Sequence, residues 1–308
     1  MAQKLAESFV KKVRGCNISL LSVSKLEIAP MKKCTTSVLF LAFALACHAQ
    51  SPSFAIEKRG EGRPILFLPG FITPGNLWNE TVKALEGKAE SHLFTYAGFG
   101  GVAPIDTPWY PALKRDLIAY IEKERLSHIT IIGHSMGGTL AMDIAAALPD
   151  KVDKLILVDA LPCMREVMMP GVSAEQIQYN APYNNQMLEM KEEPFLQMAA
   201  MMAGGMTDNK EKKDTILKWI LTADRKIFVY GYTDLLKLDQ RAALPLMRAK
   251  TLILGATFPT KEVARATLEK QFATLKEKRI EMAPDSKHFI MFDQPDWFYA
   301  QVNTFLKK

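Results

Sequence analysis

The run Gly133-His134-Ser135-Met136-Gly137-Gly138 stands between a short β-branched segment, His128-Ile129-Thr130-Ile131-Ile132, and an Ala-rich stretch from Thr139 to Leu148. That order reads as strand, tight turn and helix with a serine at the apex, the setting in which Gly-x-Ser-x-Gly acts as a nucleophile elbow. A sharp turn holds the serine oxygen clear of the backbone, where a base from elsewhere can take its proton. Gly133 and Gly137 each stand two residues from Ser135, where a side chain would crowd the turn or the packing of helix on strand. The helix starting near Met136 aims free N–H groups at the same place, so backbone donors are available to a developing oxyanion.

Outward from the elbow, apolar runs alternate with helical spacing. Phe54 to Lys58 reads as a half-exposed strand and Pro64-Ile65-Leu66-Phe67-Leu68 as a buried one, with Gly60-Glu61-Gly62 turning the chain between them. Pro69 to Gly75 is a loop, and Asn76 is placed to cap a helix from Leu77 to about Leu85. Leu93 to Tyr96 is a strand leading into Gly98-Phe99-Gly100-Gly101, and Pro111 to Arg125 is helical by the spacing of Leu113, Leu117, Ile118 and Ile121. Leu155 to Val158 and Thr251 to Leu254 are buried strands, Arg279 to Met282 is the last strand, and Asp296 to Phe305 the closing helix. The class is α/β: a mostly parallel sheet with helices on both faces.

Between Pro162 and Arg248 the alternation stops and the pattern turns helical and rich in methionine. Met164, Met168, Met169, Met187, Met190, Met198, Met201, Met202 and Met206 fall here, side chains that adapt to varied apolar shapes. The segment 162–248 is read as a helical cap inserted after the strand ending at Asp159, over a core of 50–161 and 249–308. Gly204-Gly205 would permit a hinge within it.

The first 49 residues hold seven basic and two acidic residues, most of the chain's net charge of +6, which leaves the rest close to neutral and without an electrostatic footprint for nucleic acid. Met31-Lys32-Lys33, the apolar run Val38 to Ala46 and Cys47-His48-Ala49-Gln50 have the three parts of a secretory signal peptide, so 31–49 predicts export and only transient membrane contact. The competing reading of the run is a buried or anchoring helix, and Cys47 is a candidate for lipid attachment. Residues 1–30 then read as an upstream extension. Cleavage near Ala49 leaves Cys163 as the one cysteine, so no intramolecular disulfide is available and the core carries the stability.

In an open parallel sheet, ligands bind beyond the carboxyl ends of the strands. His92 and His128 are placed at strand starts, His48 belongs to the leader, and His134 is expected to point away from its neighbour Ser135. That leaves His288, between the last strand and the last helix, as the base. No metal cluster, phosphate loop or dinucleotide fingerprint is visible, so no cofactor or metal is expected.

With the elbow, Leu68-Pro69-Gly70-Phe71, Gly98-Phe99-Gly100 and His288-Phe289 in view, residues 54–308 resemble the α/β-hydrolases with a helical cap. The order of nucleophile first and histidine last is similar too. Many members carry an acid after the penultimate strand in Gly-x-x-Asp, where this chain has Gly255-Ala256-Thr257-Phe258 and no carboxylate before Glu262. Asp159, at a position similar to that used by some haloalkane dehalogenases, is the acid the resemblance implies, with Asp234 and Asp285 as alternatives. Dehalogenation does not carry over, because the elbow residue is a serine rather than a carboxylate. The oxyanion hole falls to the backbone N–H groups of Met136 and Phe71, since Pro69 has none.

These residues predict an exported serine hydrolase in which Ser135 attacks an acyl carbonyl, His288 moves the proton and Asp159 orients His288. A small or medium apolar ester is the expected substrate, with amide, lactone and thioester left open. Two other readings remain: a hydrolase-like scaffold that grips a hydrophobic ligand with little turnover, and an aminopeptidase for short peptides that would use Glu189, Glu192 and Glu193 to bind the amine.

Overall fold

In a computed structural model the described residues are 52–307, and they fall within one compact unit. The upstream extension, the leader and Cys47 lie outside the described residues. Seven strands form one sheet: β1 (Phe54–Arg59), β2 (Arg63–Leu68), β3 (Ala89–Tyr96), β4 (Ile129–His134), β5 (Val152–Val158), β6 (Lys250–Gly255) and β7 (Lys278–Met282). Their order is β1-β3-β2-β4-β5-β6-β7; β1 runs antiparallel to β3 and the other neighbours pair in parallel. The central strands are apolar almost without alternation, and every residue of β4 is buried, as expected where both faces of a parallel sheet are covered.

The sheet places the carboxyl ends of β4, β5 and β6 side by side. His134 pairs with Val158 and Val158 with Leu254, so the residues that follow these three strands emerge together. The helix Met136–Ala147 leaves β4 through the elbow with ten of its twelve residues buried.

The sequence places Asn76 as a helix cap, but it lies within a 3-10 turn, Gly75–Trp78, which precedes a six-residue helix, Asn79–Ala84. Pro74 stands before that turn and closes it through its carbonyl, which accepts from Leu77 N at 3.1 Å. The helix Lys261–Gln271 is not anticipated: it buries only Leu268 and Gln271, too few apolar positions for a periodic signal. His92 is not at a strand start but inside β3, fully buried, with Nδ1 2.7 Å from the Tyr120 hydroxyl. Gly204 and Gly205 lie in the last turn of the helix Glu192–Met206, helical rather than bent.

Between β5 and β6 the chain forms the helices Met164–Met168, Pro182–Glu189, Glu192–Met206, Lys210–Thr222 and Arg225–Lys237, joined by loops and a 3-10 turn. Buried polar ties fix this segment to the core. Asp143, in the elbow helix, accepts from the Tyr110 hydroxyl at 2.8 Å, from Lys114 at 2.7 Å and from Gln240 Nε2 at 2.7 Å.

Candidate active site

Ser135 sits at φ 52°, ψ −121°, between the last residue of β4 and the first of its helix. A non-glycine residue rarely holds positive φ, and the surroundings over-determine it here. Ser135 N donates to Val158 O at 2.8 Å, and its carbonyl accepts from Gly138 N at 2.9 Å and Thr139 N at 3.1 Å. A Cβ on Gly137 would stand 2.2 Å from Leu68 O, and one on Gly133 2.5 Å from Gly137 O. The glycine spacing is therefore a steric requirement of helix lying on strand.

His288 follows β7 in a loop and turns its ring towards Asp159, with Nδ1 2.6 Å from Asp159 Oδ2. A carboxylate only accepts, so this partner assigns the proton to Nδ1 and leaves Nε2 as the free basic nitrogen. Asp159 follows β5 at φ 45°, its N donating to Leu254 O at 2.8 Å. Its other oxygen, Oδ1, accepts from Ala256 N at 3.1 Å. The segment after β6, which lacks a carboxylate, thus contributes a backbone donor that holds the Asp159 carboxylate in its place beside His288.

Neither of the two alternatives for the acid is the partner of His288 Nδ1. Asp234 is buried and accepts from Tyr110 N at 3.0 Å and from the Tyr179 hydroxyl. Burial, then this carboxylate, push the Tyr179 hydroxyl well above its ordinary range. Asp285 lies at φ 38° and its carbonyl accepts from Gln294 Nε2 at 3.3 Å.

His134 has a part the sequence does not suggest. Its ring lies 4.6 Å from that of His288, centroid to centroid, and its Nε2 donates to the His288 carbonyl at 3.0 Å. Its Nδ1 has no partner among the described residues. Burial, then the neighbouring His288 ring, hold its pKa well below the usual histidine value, so it is a neutral support beneath the loop. An elbow histidine followed by a distant His-Phe pair was the one available signal.

Phe71 and Met136 line the same cavity as Ser135, His288 and Asp159. The Phe71 ring is wedged among Phe99, Trp109, Phe228 and Tyr232 at centroid distances of 5.0 to 6.0 Å, which fixes its backbone beside the elbow. Ile72, next in the chain, holds φ 65°, a strained value for a β-branched residue. The cavity measures about 550 Å³ and takes six of the nine cap methionines: Met164, Met168, Met187, Met198, Met202 and Met206. Among the described residues, lysine, arginine and glutamate are absent from its lining, and Asp159 is its one carboxylate. Glu189, Glu192 and Glu193 are exposed and outside it. Among the described residues no cluster of side chains has the make-up of a metal site.

The arrangement offers an oxygen nucleophile, an imidazole with an assigned tautomer, a carboxylate that orients it and an apolar chamber. A family model for the alpha/beta hydrolase family matches residues 65–301. The chain belongs to the alpha/beta hydrolase family. Within it, the chain is 22% identical over 262 residues to a pimeloyl-[acyl-carrier protein] methyl ester esterase of Nitrosospira multiformis, covering 83% of this chain and 98% of that one. It is 24% identical over 174 residues to the enzyme of the same name from Aeromonas hydrophila, a match spanning 54% of this chain and 65% of that relative's length. Among solved structures, the esterase EaEST of Exiguobacterium antarcticum superposes with a TM-score of 0.68 at 20% identity, covering 83% of this chain and 96% of that one. The enol-lactonase of Burkholderia xenovorans LB400 does so with the same score at 16% identity and the same coverages. These alpha/beta hydrolases share the fold.

Proposed function

We propose that this hydrolase is a serine carboxylesterase acting on small or medium uncharged esters with an apolar acyl chain. The observation that carries the reading is the His288–Asp159 pair, 2.6 Å apart, opening with Ser135 onto one apolar cavity. In this reading His288 Nε2 takes the proton of Ser135 as its oxygen attacks the acyl carbonyl, and Asp159 stabilises the imidazolium that forms. The N–H groups of Met136 and Phe71 receive the oxyanion, and His288 returns the proton to the departing alcohol. Water then repeats the sequence on the acyl-enzyme.

The volume suits an organic substrate, since ligand pockets run from about 300 to 1,000 Å³. A lining without cations or a free carboxylate disfavours charged acids and amines, because a charge buried without a partner is costly. The esterase names among the relatives support the same reaction class. Export remains part of the proposal on the strength of the leader sequence alone.

The test is labelling of the purified protein with a fluorophosphonate, followed by hydrolysis of p-nitrophenyl esters from acetate to decanoate and of aminoacyl p-nitroanilides. Labelling at Ser135 with ester turnover and no anilide turnover supports the reading. Absence of both labelling and ester turnover rejects it.

A further inference from the structure

The loop carrying His288 is bound to the cap on both sides of that residue. Phe289 N donates to Met206 O at 3.1 Å, and Lys287 Nζ donates to Gly204 O at 3.3 Å and pairs with Asp208 at 2.8 Å. Asp293 joins the two segments. Its Oδ1 accepts from the Thr207 hydroxyl, from Asp208 N at 2.9 Å and from Asn209 N at 3.3 Å, while its Oδ2 accepts from Lys287 N at 2.9 Å. The Thr207 side chain is fully buried, and hydrogen bonds to a carboxylate in such surroundings are of the stronger, charge-assisted kind.

These contacts gather at one end of the helix Glu192–Met206, which presents Met198, Met202 and Met206 to the cavity. A chain seated in the cavity therefore touches the same helix whose end holds the His288 loop. We propose that Asp293 is a positioning residue that couples the cap to His288, so that seating an apolar acyl chain against this helix and placing His288 for proton transfer are one event. The kinetic side of this proposal rests on the esterase reading; the coupling itself is structural. It also gives the enzyme a means of chain discrimination in kcat: an ester too short to reach the helix leaves the histidine less firmly held.

The experiment compares wild type, Asp293→Asn and Asp293→Ala by hydrogen exchange with and without 2-decanone, which has the carbonyl and chain of an ester but cannot be cleaved. Turnover of p-nitrophenyl acetate and octanoate is measured alongside. In wild type, 2-decanone slows exchange in 192–203, in 204–209 and in 286–289. In Asp293→Ala the slowing at 286–289 is lost while that in 192–203 remains. On octanoate, kcat of Asp293→Ala falls about ten- to a hundredfold, the scale of a misplaced catalytic group, with KM within about threefold. On acetate the fall is smaller, and Asp293→Asn, which keeps one acceptor oxygen, lies between on both esters. Ligand-dependent slowing at 286–289 that survives Asp293→Ala, or is absent from wild type, overturns the proposal. So does an equal fall in kcat on both esters, which would make Asp293 a structural tie alone. Failure of the esterase reading shows separately, as no turnover by wild type while the exchange result stands.

Discussion

His134 Nε2 donates to the carbonyl oxygen of His288 at 3.0 Å, so the residue before Ser135 supports the loop that brings His288 to the cavity. Replacing it by alanine removes the donor and opens a gap under the ring of His288. The expected result for His134→Ala is a kcat lower by about ten- to a hundredfold on p-nitrophenyl esters, because small displacements of a catalytic group are costly. His134→Gln, which retains an amide donor, recovers part of that loss.

The same histidine makes stability depend on acid. Burial and His288 hold its pKa below the ordinary value of 6.5, so the folded protein binds this proton less readily than the unfolded chain. Its contribution is therefore full above about pH 6.5 and declines as the pH falls below that value. His92, lowered mainly by burial, acts in the same direction. Tm measured from about pH 7 down to about pH 5 is expected to fall, and less steeply in His134→Gln than in wild type.

The elbow tolerates no added methyl at Gly137, whose Cβ would stand 2.2 Å from Leu68 O. The atoms it would meet, Leu68 O, Leu68 C and Pro69 O, are all backbone, with no flexible side chain to give way. Gly137→Ala is expected to lose about 3 kcal/mol or more in urea denaturation, at the upper end of overpacking effects. Gly205→Ala, at a position with nothing within 4 Å of the added carbon, is the matched control and should be neutral or slightly stabilising.

Met202 lines the cavity, and a larger ring there shortens the space for an acyl chain. For Met202→Trp the expected outcome is a kcat/KM for decanoate lower by about tenfold or more, with acetate little changed, since pocket methylenes are each worth up to about 1–3 kcal/mol of discrimination.

Much of this was readable because local chemistry imposes it. The elbow announces itself through glycines that sterics require, and His288 through its place between the last strand and the last helix. Asp159 was a candidate only through the resemblance, beside Asp234 and Asp285, once Gly255-Ala256-Thr257-Phe258 was seen to lack a carboxylate; what that segment does instead, donating Ala256 N to Asp159, belongs to the fold. His134 escaped because neighbours in a strand point apart, a rule that says nothing of a loop arriving from 154 residues away. Asp293 escaped for the same reason, its Thr207 partner lying 86 residues off in sequence. The cap methionines were readable as apolar, but not which six would face the cavity, since their helices have several apolar sides.

Which carboxylate serves His288 is decided by kcat for Asp159→Asn measured beside Asp234→Asn. Asparagine at 159 offers His288 a neutral partner with the wrong donor pattern, so the expected loss is about 10²- to 10⁴-fold, approaching that of Ser135→Ala, with the fold intact by circular dichroism. Asp234→Asn should keep kcat within a few fold while losing about 1–3 kcal/mol of stability, because the amide has one acceptor oxygen for two donors, the buried Tyr110 N and the half-buried Tyr179 hydroxyl. A wild-type kcat in Asp159→Asn together with a large loss in Asp234→Asn would take the role of acid away from Asp159.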